Sequence, residues 1–76
     1  MAIKAYVLME TTAGKTQPVV AAMRGLPGVE AADAVTGPYD VVAVVNATDV
    51  AAVGDLIESV IHTIDGVSRT VTCLSV

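Results

Sequence analysis

Apolar and polar positions alternate between two periods along the chain. Residues 3–10, IKAYVLME, form a short apolar, partly β-branched run and predict a first strand. In TTAGKTQPVVAAMRGLPG the period changes: Val19, Met23 and Leu26 fall at i, i+4, i+7 with Val20 beside them, one stripe of a helix. Thr12 or Gly14 can begin that helix, Pro18 is tolerated in its first turn, and Gly25 with Pro27-Gly28 ends it. Residues 29–36, VEAADAVT, predict a more polar second strand, Gly37-Pro38 turns the chain, and YDVVAVVNA (39–47) predicts a third. Thr48-Asp49 supplies an N-cap for a second helix running to about Ile64, with the stripe Val50, Val53, Ile57, Val60, Ile61, Ile64. Asp65-Gly66 stops it, and VSRTVTCLSV (67–76) predicts the last strand.

The order β-α-β-β-α-β, with Leu26-Pro27-Gly28-Val29 and Ile64-Asp65-Gly66-Val67 closing the two helices alike, predicts a ferredoxin-like α+β sandwich. Two right-handed β-α-β units then place both helices on one face, the first and third strands in the middle, and the second and fourth at the edges. Strands covered on one face only should alternate apolar and polar residues. These do not. Tyr39, Val41, Ala43 and Val45 oppose Val42 and Val44, and Ile3, Ala5, Val7 and Met9 oppose Tyr6 and Leu8. The face without helices therefore needs a cover, and a second subunit packed sheet-to-sheet, giving a dimeric α/β barrel, is the simplest one.

Size sharpens that expectation. The 76 residues make a single domain, 1–76, and a chain this short buries only about 60–65% of its unfolded surface. Small domains are helped by disulfides, metals or association. Cys73 is the sole cysteine and His62 the sole histidine, so neither a disulfide within the chain nor a metal cluster is expected, and association remains. Composition agrees, at 54% hydrophobic residues and a mean hydropathy of +0.70. A net charge of −4, with Lys4, Lys15, Arg24 and Arg69 scattered, runs against direct nucleic-acid binding. No apolar run approaches the roughly 18–20 residues of a membrane span, and MAIKAYVLMETT does not read as a signal peptide. A lone cysteine fits a reducing compartment, so the expected location is the cytoplasm.

Candidate chemistry is sparse, and no cofactor is indicated. His62, near the end of the second helix, reads as a residue favoured by the helix dipole, and Cys73 as a buried structural thiol. Glu30, Asp33 and Glu58 read as surface charges, and Gly25 and Gly28 end a helix rather than open a phosphate-binding one. Polar groups suited to a ligand cluster elsewhere. Thr36, Gly37, Tyr39 and Asp40 surround the β2–β3 turn, and Thr70 and Thr72 share one face of the fourth strand. Glycine lets a ligand approach backbone, and an aspartate can accept hydrogen bonds from an ammonium group. Ordinary turn and strand chemistry accounts for the same residues, with Asp40 bonded to a neighbouring backbone amide.

VTGPYDVVAVV resembles the signature of the effector-binding (RAM) domain of the Lrp/AsnC family, approximately V-T-G-x-Y-D followed by an apolar strand. A T-x-x-G entry to helix one, Leu-Pro-Gly-Val before strand two, Gly-Val before strand four and the spaced Thr70 and Thr72 extend the resemblance over the whole chain. It implies a non-enzymatic, sheet-to-sheet dimer that assembles further, often as a tetramer of dimers. The implied effector is an amino acid, bound between dimers near the β2–β3 turn. Carried over, Asp40 meets the ligand's ammonium group and backbone around Gly37 its carboxylate. Family members carry an N-terminal helix-turn-helix, whereas this sequence opens in strand one. It therefore looks like a stand-alone effector domain, with a full-length Lrp/AsnC homologue as an expected partner. Two other readings stand beside this one: a small dimeric α+β-barrel enzyme of monooxygenase or isomerase type, and an oligomerisation module without a ligand.

Overall fold

The computed structural model describes residues 2–76. Its elements are β1 (Ile3–Thr11), α1 (Thr16–Arg24), β2 (Val29–Ala34), β3 (Val41–Ala47), α2 (Val50–Ser59), one 3₁₀ turn (Ile61–Thr63) and β4 (Val67–Leu74). All strand pairs are antiparallel, in the order β2-β3-β1-β4. The ferredoxin-like βαββαβ order is thus realised, with β1 and β3 central as the pattern predicts.

Several boundaries differ from the sequence expectation, each for a local reason. Helix α1 starts at Thr16 rather than Thr12 or Gly14, because residues 12–15 form a turn closed by Lys15 N–H donating to Thr12 O at 3.0 Å. Strands β2 and β3 stop short of the hairpin, at Ala34 and Val41, so Thr36, Tyr39 and Asp40 belong to the loop rather than to strands. Helix α2 ends at Ser59, not Ile64. Val60 leaves helical geometry (φ −121°, ψ −61°), and the 3₁₀ turn after it carries Ile61 fully into the core. The Asp49 N-cap is as expected: its Oδ1 accepts from Ala52 N–H at 2.8 Å. Strand β4 ends at Leu74.

One face of the sheet is the core. Ala5, Val7 and Met9 of β1 and Val41, Ala43 and Val45 of β3 are fully buried beneath Val19, Val20 and Met23 of α1, Val53 of α2 and Ile61. Among the described residues no polar or charged residue is buried. Gly66 ties the connection that leads into β4 to the β1–α1 turn. Its φ is +101°, its carbonyl accepts from Thr12 N–H at 2.9 Å, and a Cβ there would lie 2.6 Å from Lys15 Cβ.

The other face has no helix over it. The registers Tyr6↔Val44, Leu8↔Val42, Leu8↔Val71 and Tyr6↔Cys73 place these six side chains together there. Tyr6 is 40% exposed, and Leu8, Val42, Val44 and Val71 are half-buried. Cys73, expected as a buried thiol, is exposed in the single chain because it sits on this open face of an edge strand. Ion pairs Lys4–Glu30 (3.9 Å) and Arg69–Glu10 (3.5 Å) involve exposed side chains and contribute at most about 1 kcal/mol each.

Candidate functional site

The predicted residues fall into two groups. The first is the hairpin. Val35 N–H donates to Asp40 O at 2.9 Å and closes the ladder, and Asp40 N–H donates to Met9 O at 2.9 Å. Between them Thr36, Gly37 and Pro38 are exposed, and Gly37 adopts φ +144° with nothing within 4 Å of a Cβ built there. Backbone at this tip is open to solvent, beside a shallow depression lined by Ala34, Val35 and Thr36.

Asp40 is tied down from behind. Its Oδ2 accepts from Thr11 N–H at 2.8 Å, and the Thr11 hydroxyl meets that of Thr16, the first residue of α1, at 2.7 Å. The side chain does bond a backbone amide, but that of Thr11 at the end of β1 rather than one within the turn, and the bond occupies one oxygen. Oδ1 has no protein partner among the described residues. A carboxylate anchored through one oxygen and free through the other is a fixed, directional acceptor.

The second group lies across β1. Met9 pairs with Val41 on one side and with Thr70 on the other, so two strand spacings, roughly 10 Å, separate the hairpin from β4. The Thr70 hydroxyl lies 2.9 Å from His62 Nε2, engaging the single histidine within the chain. Thr72 opens onto a groove of about 300 Å³ between α2 and β4, lined by Val50, Val53, Gly54, Ile57, Glu58 and Leu74. One protomer does not bring Thr72 to Asp40. A smaller pocket lies between His62, Val67, Ser68 and Arg69, where Ser68 Oγ donates to Glu10 O at 3.0 Å.

Sequence reasoning missed the groove and the Thr11–Thr16 support. Gly54, a glycine inside an otherwise regular helical stripe, is the one signal that marks the groove. Among the described residues no group of three or more His, Cys, Asp or Glu could hold a metal ion, and no helix is long and apolar enough to cross a membrane.

A single antiparallel sheet with two helices on one face, an open apolar face and an exposed β2–β3 hairpin defines a ferredoxin-like domain. Residues 4–76 match the Lrp/AsnC ligand binding domain, and the chain belongs to that family. The structure of TTHA0845 from Thermus thermophilus is similar at TM-score 0.92 and 38% identity, over 97% of this chain and 92% of that one. PHS023 from Pyrococcus horikoshii matches at TM-score 0.91 and 28% identity, over 100% and 90% of the two chains. The transcriptional regulator NMB0573 of Neisseria meningitidis, solved as a complex with L-Met, shares the fold at TM-score 0.87 and 20% identity; this chain spans 49% of it. No curated protein matches the chain.

Proposed function

We propose that this protein is a non-enzymatic, amino-acid-sensing regulatory domain that works as a cytoplasmic oligomer and binds its effector between copies. The observation that carries the reading is membership, over residues 4–76, of a ligand-binding domain family. That a structural relative was solved with L-Met supports an amino acid as the ligand class. Asp40 Oδ1 is the acceptor for the ligand's ammonium group, and the exposed backbone around Gly37 receives its carboxylate. Thr36 and Tyr39 flank that position, and Thr70 and Thr72 enter from a neighbouring copy, because β1 separates them from the hairpin within one chain.

The open sheet face supports sheet-to-sheet dimerisation. Tyr6, Leu8, Val42, Val44 and Val71 form a contiguous apolar surface of the kind that marks association. Through the same surfaces the protein co-assembles with a full-length Lrp/AsnC regulator. Co-expression followed by size exclusion tests this partner, and consistently separate elution contradicts it. The non-enzymatic reading is supported by the filling of the helix–sheet interior with Met9, Met23, Val19, Val45 and Ile61.

Thermal-shift and calorimetric screening with the twenty amino acids, read alongside oligomer mass, tests the function. Stabilisation by one or a few supports it. An intact oligomer indifferent to all twenty supports a purely structural module instead.

A further inference from the structure

The α2–β4 groove carries features that the packing of one chain does not explain. Gly54 stands in the middle of α2, where glycine is the poorest helix former after proline. A Cβ built there meets nothing within 4 Å, so no neighbour in the chain requires a glycine, and its effect is a dent in the helix surface. Beside the dent, Val50 (55% exposed) and Leu74 (43%) are among the most exposed large hydrophobic residues of the chain, and Val53 and Ile57 form the apolar wall. Charge is the further feature. Lys4, Lys15, Arg24 and Arg69 are paired with Glu30, Asp65, Asp33 and Glu10 in turn. Asp40 and Asp49 accept from backbone amides. Asp55 and Glu58, the acidic residues of α2, have no such partner among the described residues, and both are exposed. They stand three positions apart on the helix, where like charges repel, and Glu58 lies in the last turn, where the helix dipole disfavours an anion. Glu58 also lines the groove.

We propose that this groove docks a segment of a partner protein that inserts an aliphatic side chain at the dent and sets Lys or Arg against Asp55 and Glu58. The inference goes beyond the amino-acid reading and does not rest on it. A mid-helix glycine, a like-charge pair and an anion at the wrong helix end each weaken α2 in isolation, and all three suit an apolar, cationic occupant. Apolar anchors seated in a groove beside a helix are an established form of peptide recognition, and unpaired carboxylates at the rim select basic flanks. The walls come from α2 and β4 alone, which makes a trough of about 300 Å³, whereas clefts for small molecules bury roughly 70–90% of the ligand. A second copy of this chain is a poor occupant. Its Lys and Arg side chains are already paired, so it would bring acidic surface to acidic surface.

The test uses the intact protein and a defined probe, a fluorescently labelled amphipathic peptide of leucine and lysine. Its leucine–glutamate and serine–lysine counterparts are the controls, and light scattering follows the protein's mass. Binding of the leucine–lysine peptide, read by anisotropy, is expected to be at least about tenfold tighter than that of either counterpart. Gly54→Leu, which fills the dent, and Asp55→Asn with Glu58→Gln, which removes the charges, are each expected to weaken it by about tenfold or more. Both variants are expected to melt no lower than the wild type, because each relieves a cost to α2. Glu30→Gln with Asp33→Asn removes the same charge from β2, at the opposite edge of the sheet, and is expected to leave binding unchanged. Unchanged binding in Gly54→Leu overturns the docking site. So does equal weakening by the β2 substitutions, since the attraction is then net charge alone. A lower melting temperature in either α2 variant overturns it too, because those residues then serve the fold. Loss of mass in Gly54→Leu without peptide also overturns it, because the occupant is then a second copy.

Discussion

Asp40 has one role that the structure shows, as acceptor for the Thr11 amide, and one that is proposed, as acceptor for the ligand's ammonium group. Its identity and its place beside a Gly-Pro turn are visible in the sequence, and both a turn role and a ligand role follow from them. What the sequence does not reveal is its partner, Thr11, 29 positions away, brought near by the β1–β3 pairing. The anchor separates the two roles experimentally. Asp40→Ala leaves the part-buried Thr11 N–H without its acceptor and is expected to cost about 1–2 kcal/mol of stability, along with all ligand stabilisation. Asp40→Asn keeps an oxygen for Thr11 and removes the charge. It is expected to melt close to the wild type in the absence of ligand yet to lose amino-acid binding. An Asp40→Asn protein that binds as tightly as the wild type would show that the carboxylate charge is not used. In contrast, the separation of Thr70 and Thr72 from the hairpin needed the strand register, which spacing along the chain does not specify.

Elements were legible where periodicity is long and capped, and blurred where it is not. The four strands, two helices and their order follow from the change of period and from the glycines that end each helix. The Asp49 cap was readable because cap and helix are local. Its substitution by alanine removes the acceptor for Ala52 N–H and is expected to lower stability by about 1 kcal/mol in chemical denaturation. The end of α2 was not readable. Val60 and Ile61 continue the apolar stripe on paper, but the core captures Ile61 by a tighter turn, and such tertiary demands have no signature in local spacing. The hairpin strands were overextended for a related reason, since β-compatible residues run past the point where pairing stops. At Gly66 the demand is steric. Gly66→Ala forces a left-handed backbone on an L-residue and a contact with Lys15, and is expected to destabilise by about 2 kcal/mol or more, read as a lower denaturation midpoint. A Gly66→Ala protein as stable as the wild type would mean that the connection into β4 is not tied to the β1–α1 turn as described.

At the scale of the whole molecule, the apolar second face of the sheet was visible in the sequence itself, because the central strands lack polar alternation. The structure adds which residues share that face and shows that Cys73 is among them. For a domain this small, folding and association are expected to be linked, so the melting temperature should rise with protein concentration. Val44→Glu, placing a charge at the centre of the open face, is expected to yield monomer with a markedly lower melting temperature. A Val44→Glu protein that keeps the wild-type mass would relocate the interface.

The central claim is the proposal that this protein senses an amino acid as an oligomer, and the most direct measurement is the melting temperature of the wild-type protein across the twenty amino acids. A ligand at one hundred times its dissociation constant adds about 2.7 kcal/mol of stability. For a domain of this size that corresponds to a rise of about 10 °C or more. Such a rise with at least one amino acid, at unchanged oligomer mass or with a defined change in it, is the predicted result. Melting curves that superimpose for all twenty, with the oligomer intact, would contradict the account.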